Sequence, residues 1–264
     1  MNDVKERSGA EHQGKAVASL RYRLLLRVST RQDVEVGLGP SIALAAALEG
    51  ELSALFVEEE ACIEASALPF PTIIGFSGAA IAIDSGRIQG AFRREAEACR
   101  RLLSRAAENA RLSWSFQASR GDAMDLLRRS CAAGDILVLR RDRLGPRVDE
   151  LLAGMRDLAP AHGGILALPS GPIPTQGPLL TFGRSTEMPV PLRLVADRLA
   201  RALGTAARHV PVSDTALPAE LVPRLAGARM LLARVETPLF DDPAVLRRLA
   251  GGLRAPLLLL RDQG

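Results

Sequence analysis

Gly134-Asp135-Ile136-Leu137-Val138-Leu139-Arg140-Arg141-Asp142-Arg143-Leu144-Gly145-Pro146-Arg147, together with the residues on to Gly171, decides the fold. Gly134 stops a preceding helix, and Ile136 to Leu139 is an unbroken apolar run of the kind that crosses the middle of a parallel sheet, buried on both faces. An amphipathic helix then runs through Val148, Leu151, Leu152, Met155 and Leu158, and Gly163 to Leu168 is the next strand. In such a sheet ligands bind just past the carboxyl ends of the strands. There this chain places Arg140, Arg141, Arg143 and Arg147, where a nucleotide-binding α/β protein places glycines and a Ser or Thr. The fold is therefore easier to read than the ligand.

Working outward toward the N-terminus, residues 1–19 are a polar tail with no apolar core segment, which argues against a signal peptide. Arg23 to Val28 is a strand, and Ser29 to Asp33 is the turn into an Ala-rich helix that ends at Gly50. Leu52 to Val57 is the second strand. The acidic run Glu58-Glu59-Glu60 is followed by Ala65 to Ile83, which carries no charge; Pro69, Pro71, Gly75 and Gly78 make it a poor membrane span, so we expect a long loop over the sheet edge, or a contact for a protein partner. Gly75 to Ala79 resembles a nucleophile elbow but lacks its second glycine. A long helix follows from Arg87 to Arg111, then a strand from Leu112 to Ala118, and Asp122 caps a short helix carrying Met124, Leu127 and Cys131. The first unit is thus residues 20–169, and the Pro- and Gly-rich stretch 170–178 is a linker.

Beyond the linker the same order begins again, in residues 179–264. Leu179 to Gly183 answers the first strand, Met188 to Gly204 the first helix, and Arg208 to Val212 the second strand. Ala216 to Ala226 is a short helix, Gly227 to Arg234 echoes Gly134 to Arg140, and Ala255 to Arg261 echoes the strand at Ile165. The long helix and third strand have no room here, so the second unit is truncated.

Composition excludes several functions. The net charge is only +4, Lys5 and Lys15 are the only lysines, and aromatics make up 3%, which leaves little to stack on bases; no nucleic-acid partner is expected. Cys62, Cys99 and Cys131 are far apart and form no C-x-x-C pair, and His12, His162 and His209 are equally scattered. These spacings suggest a reducing cytoplasm and no metal site. Paired carboxylates and a nucleophile beside a base are also lacking, so no enzyme and no catalytic residue is expected.

The duplicated order resembles the universal stress protein family in its tandem form. The matches are Leu24 to Val28, Leu52 to Val57, Arg120-Gly121-Asp122 before the third helix, Asp135 to Leu139, and Ile165 to Leu168. The resemblance implies an α/β fold of two doubly wound parallel-sheet units, adenine nucleotide alpha hydrolase-like, with strand order 3-2-1-4-5 and the second unit truncated. It implies further that the closing strands Ile165 to Leu168 and Leu257 to Leu260 lie side by side, in a register left open, with cysteines at Ala167 and Leu259 as a first test. ATP-binding members resemble one another in an acid that ends the first strand, and in a loop of Gly, two residues, Gly, nine residues, Gly and Ser or Thr. Here the acid position falls on Ser29, and the loop positions on Arg140, Arg143, Ala153 and Gly154; in the second unit the acid position is Arg184, and Arg234 to Pro238 holds no glycine. Backbone amides approach phosphate only where no side chain intervenes.

The implied function is a non-catalytic regulatory or scaffolding protein of a bacterial stress response, cytoplasmic, without ATP or another cofactor. The alternative is a module for a nucleotide or other phosphate-bearing anion, with Arg140, Arg141 and Arg143 as grips, Ser29 and Gly154 at the family positions, and Val57 and Gly145 as backbone contacts. Against it, Asp142, Asp149 and Glu150 can neutralise those arginines on a solvated surface. Loss of the second unit's long helix is expected to bare apolar sheet beside the Met188 to Gly204 helix unless the Ala65 to Ile83 loop or a second copy covers it; a second copy, hence a homodimer, is expected.

Overall fold

The computed structural model describes residues 22–66, 72–74, 80–82, 85–132, 134–140, 163–213, 218–234, 237 and 252–261. The N-terminal tail, the elbow-like Gly75 to Ala79 and the helix expected from Val148 to Leu158 lie outside them. In chain order the elements are β1 (Arg23–Val28), α1 (Arg31–Ala47), β2 (Glu51–Glu59), α2 (Glu60–Ser66), β3 (Thr72–Ile74), β4 (Ala80–Ala82), α3 (Ser85–Asn109), β5 (Trp114–Gly121), α4 (Ala123–Ser130), β6 (Ile136–Arg140) and β7 (Gly164–Leu168). After the linker come β8 (Leu179–Gly183), α5 (Val190–Leu203), β9 (Ala207–Pro211), α6 (Pro218–Leu225), β10 (Met230–Arg234) and β11 (Leu257–Leu260).

Nine strands form one sheet in the order β5-β2-β1-β6-β7-β11-β10-β8-β9. The first five read 3-2-1-4-5; the last four repeat that order from the other side without a third strand. All pairings are parallel except that of β7 with β11, which is antiparallel and joins the two units. The closing strands lie side by side as expected, in the register that sets Ala167 opposite Leu257 and Ile165 opposite Leu259. Gly164 contributes to the close approach here, because a Cβ at that position would sit 2.5 Å from the Leu259 carbonyl oxygen.

Alternation along the strands divides the core into two layers. Leu24, Leu26 and Val28 pack with Val34 and Leu44 of α1, Cys99 and Leu103 of α3, and Leu192, Ala196 and Leu199 of α5. Leu25, Leu137, Leu180 and Leu231 pack on the other face with Leu127 of α4 and Leu221 and Leu225 of α6. Helices on both faces of a parallel sheet are what continuous apolar strands require. At the amino ends of β1 and β6, Arg23 binds the buried carboxylate of Asp135, which also accepts from the Ala132 amide at 2.7 Å. That bond holds the Arg23 guanidinium above its ordinary pKa.

Two expectations need correction. The uncharged segment is not one structureless loop: α2 extends to Ser66, and β3 pairs antiparallel with β4, Ile73 opposite Ile81. Thr72, Ile73 and Ile74 are β-branched, and that stiffness favours extended chain. The acidic run before it is partly paired, Glu59 with Arg27 at 2.9 Å and Glu58 with Arg120 at 3.3 Å. No described helix is long and apolar enough to cross a membrane.

The second correction concerns the sheet next to the missing helix. Register puts Thr181 of β8 and His209 of β9 on that face, paired across the strands. Thr181 is fully buried, and its hydroxyl lies 2.8 Å from His209 Nδ1. The face is closed by a polar pair, so it offers no bare apolar sheet for a second copy. The outer edge behaves as expected: β9 carries Arg208 and Pro211, exposed charge and a residue that cannot donate to a ladder.

Candidate functional site

In each unit the first strand and the strand beside it, β1 with β6 and β8 with β10, send the chain in different directions, which opens a crevice at their carboxyl ends. In the first unit the described residues at that crevice are bonded to one another. Thr30 and Asp33 form a capping box at the start of α1: Thr30 accepts from the Asp33 amide, and Asp33 reaches back. Asp33 Oδ2 accepts from the amides of Ser29 and Thr30, both at 2.9 Å. Its Oδ1 accepts from Arg140 at 3.2 Å, and the two side chains are 3% and 5% exposed. Glu95 of α3 completes the closure by accepting from the Arg31 amide at 2.6 Å.

The amides of Ser29, Thr30 and Arg31 at the start of α1 are thus bonded to the protein's own carboxylates, and the Arg140 guanidinium is paired with Asp33. Ser29 sits at this point, yet its buried hydroxyl has no hydrogen-bond partner among the described residues. Val57 is fully buried in the layer with α4. Arg141, Arg143, Gly145 and Gly154 lie outside the described residues. Of the sequence-derived candidates, the structure therefore brings Ser29 and Arg140 together, around Asp33, which in the sequence reads only as part of a helix entrance.

The second unit allows a position-by-position comparison. Leu24 pairs with Ile136 as Leu179 pairs with Met230. Arg184 therefore stands where Ser29 does, and Arg234 where Arg140 does. The third helical residue, Asp33 in α1, is Leu192 in α5. Pro189 caps α5 without a side-chain hydrogen bond, and the first turn carries no acid.

At the corresponding place the second unit has a cavity of about 480 Å³ lined by Arg184, Ser185, Leu192, His209, Arg234 and Thr237, among others. His209 anchors its rim. Nε2 faces the Ser185 carbonyl at 2.9 Å and so donates to it, while Nδ1 lies 2.8 Å from the Thr181 hydroxyl. Thr237, 9% exposed, forms part of the wall and donates its amide to the Arg234 carbonyl at 3.2 Å.

These residues are partly visible in the sequence. Thr30-Arg31-Gln32-Asp33 has capping-box spacing, and aligning Ile136-Leu137-Val138-Leu139-Arg140 with Met230-Leu231-Leu232-Ala233-Arg234 places the second arginine. Nothing in the sequence singles out His209, whose partners lie on another strand and beyond it. Among the described residues no cluster of His, Cys, Asp or Glu is arranged to hold a metal. Burial pushes the thiols of Cys99 and Cys131 up to about 12, so neither is a ready nucleophile at neutral pH.

No protein-family model matches this sequence, and neither does any curated protein. Solved structures do. A universal stress protein from Archaeoglobus fulgidus superposes with a TM-score of 0.53 at 11% identity, over 90% of this chain and 96% of that one. A functionally unknown protein from Pseudomonas aeruginosa PAO1 gives 0.50 at 12%, over 90% and 92%. A candidate universal stress protein from Pseudomonas aeruginosa UCBPP-PA14 gives 0.51 at 12%, over 92% and 95%. Identity this low carries the fold alone: the chain has the α/β fold, with its 3-2-1-4-5 sheet order, of the universal stress proteins.

Proposed function

We propose that this chain is a tandem universal-stress-protein-like regulatory or scaffolding protein, non-catalytic and cytoplasmic, whose first unit does not bind ATP. The observation that carries the reading is the buried Arg140–Asp33 pair at the crevice of the first unit, with the nearby amides already bonded to Asp33 and Glu95. A nucleotide there would have to break a buried ion pair, and separating such partners costs about 3–5 kcal/mol. The near-complete coverage of neighbours as long as this chain supports the tandem element. Homodimerisation remains part of the proposal on a different ground from bare sheet: Val190 and Leu194 are 66% and 62% exposed, one turn apart on α5.

Titration calorimetry of the full chain with ATP and magnesium tests the central point. We expect no saturable heat assignable to the first unit, and none lost on changing Arg140 to Leu. A micromolar dissociation constant, about −8 kcal/mol, that survives the second-unit change Arg234→Met would overturn the reading.

A further inference from the structure

Gly39 and Pro40 stand together in the middle of α1, where neither suits a helix: glycine gives up backbone freedom, and proline brings no N–H to the Val36 carbonyl one turn earlier. Both residues line a cavity of about 400 Å³, and a Cβ built on Gly39 would meet nothing within 4 Å. The opposite wall belongs to the second unit, whose α5 packs against α1. It is made by the end of α5, by Met230 at the start of β10 and by Pro256 just before β11. The cavity therefore lies at the amino ends of those strands, at the other end of the sheet from Arg184 and Arg234. The linker supplies the third wall through Pro172, Ile173 and Pro174. Ile173 packs on the core layer that α1 and α5 share. Further along, the Thr205 hydroxyl donates to the Gly177 carbonyl at 2.7 Å, and the Arg229 amide to the Pro178 carbonyl at 2.9 Å. The linker is thus tied down at both places, and its prolines restrict the backbone between them, so the wall is preformed.

One cation enters the second-unit wall. Arg229 is half-buried and donates from Nη1 to the carbonyl of Leu203, the last residue of α5, which fixes the guanidinium beside the cavity. Its other N–H groups remain for a ligand, and among the described residues no carboxylate pairs with it. We infer that this cavity binds a small monocarboxylate with an apolar body, an aliphatic or aryl carboxylic acid, at the junction of the two units. The carboxylate takes Arg229, since a guanidinium meets it with parallel donors. The body lies between the Gly39–Pro40 stretch of α1 and the linker, where Ile173, Met230 and the prolines offer apolar surface. Glu35 also lines the cavity and is exposed, and its carboxylate selects against a ligand with a second negative charge, such as a phosphate ester. Because the walls come from the first unit, the linker and the second unit, such a ligand ties the two units together. The site is separate from the first crevice, and its test does not depend on whether ATP binds there.

Titration calorimetry of the full chain with octanoate and with 3-phenylpropionate, each beside its neutral primary amide, is the test. We expect saturable one-site binding of at least one carboxylate, with its amide weaker by about tenfold or more, the scale of one lost charge-assisted contact. Arg229→Met should weaken the carboxylate by a similar factor and leave the amide as it was. Gly39→Leu should abolish both by filling the cavity from α1, at a position where the helix gains by losing glycine. Arg101→Met, on the exposed side of α3, should leave binding unchanged. If Arg229→Met does not fold cooperatively, Gly39→Leu decides alone. No saturable binding of either carboxylate, an amide that binds as well as its acid, or binding undiminished in Gly39→Leu or Arg229→Met overturns the inference.

Discussion

Replacing Asp33 by Ala should be among the most damaging single changes in the first unit, and its cost can be worked from the geometry. The change removes the acceptor of the Ser29 and Thr30 amides and breaks the capping box, worth about 1 kcal/mol. It also takes the Asp33 carboxylate from the Arg140 guanidinium, whose side chain is 5% exposed, and removing one member of a buried pair costs about 3–5 kcal/mol. The sum is about 4–6 kcal/mol, a large part of the ~5–15 kcal/mol that holds a typical fold. Arg140→Leu should cost less, about 1–3 kcal/mol, because Asp33 keeps its two amide donors. In the double variant both members of the pair are gone, so Asp33→Ala with Arg140→Leu should be less damaging than Asp33→Ala alone, with a coupling energy of at least ~2 kcal/mol. Equilibrium urea unfolding of the four proteins, with equal m-values as the control, measures all these contributions. If the two single effects simply add to within about 0.5 kcal/mol, the buried pair is not the organising interaction of this crevice and the closure argument fails.

Other consequences can be checked directly. The Arg261 amide donates to the Gly163 carbonyl, which makes that opposing pair hydrogen-bonded and makes Leu166 and Leu258 one of the closer, non-bonded pairs. Their Cα atoms should be about 4.5 Å apart, so Leu166→Cys with Leu258→Cys should form a disulfide within one chain, whereas Ala167→Cys with Leu259→Cys, two residues out of register, should not; crosslinks found only between chains would refute the seam. Sedimentation velocity on the unmodified protein addresses the homodimer, and a monomer at working concentration removes that part of the proposal. Cys62 is exposed and should react first with iodoacetamide at pH 8, ahead of Cys99 and Cys131. Those two thiols are held at about 12 in the folded chain against 9.0 ordinarily, so the unfolded state gives up its protons first; their contribution to stability is intact below pH 9 and lost as the pH rises towards 12. A midpoint that does not fall over that range in the unmodified protein, relative to Cys99→Ala, counts against the burial argument.

The nine-stranded sheet is legible in the sequence because its central strands are buried on both faces and so read as unbroken apolar runs, Leu24 to Leu26 or Ile136 to Leu139. The same property hides register. Leu257-Leu258-Leu259-Leu260 can slip by a residue against Ile165 to Leu168 without exposing anything polar, so hydrophobic pattern cannot choose the partner of Ala167. Backbone contact at Gly164, with no side chain between it and the Leu259 carbonyl, belongs to three dimensions. The β3–β4 pair escapes sequence reading because two three-residue strands within an uncharged stretch carry no period long enough to separate strand from loop. Of the site, Arg140 is visible but misleading: beside Arg141 and Arg143 it reads as one more surface cation, and only a partner 107 residues away shows that it is buried.

The truncation of the second unit and its open crevice have a common cause in the fold. In the first unit α3 crosses from β2 to β5 on the face that carries α1, and from there Glu95 reaches the first turn of α1. Removing the equivalent strand and helix from the second unit takes away an edge and a crossover, which breaks no central pairing, but it also removes the element from which a second carboxylate could reach the start of α5. What remains on that side is His209, whose ring spans from Thr181 to the Ser185 carbonyl. A histidine bonded in that way brings no negative charge to the crevice. An acid at the third position of α5 would do so, as Asp33 does in α1, and the chain has Leu192 there, 4% exposed and packed into the core with Ala196 and Leu199. Shortening the unit and placing leucine at that one helix position thus remove both carboxylates that seal the first crevice and leave a cavity with two arginines in its wall, while the strands beneath both crevices stay paired in the same order.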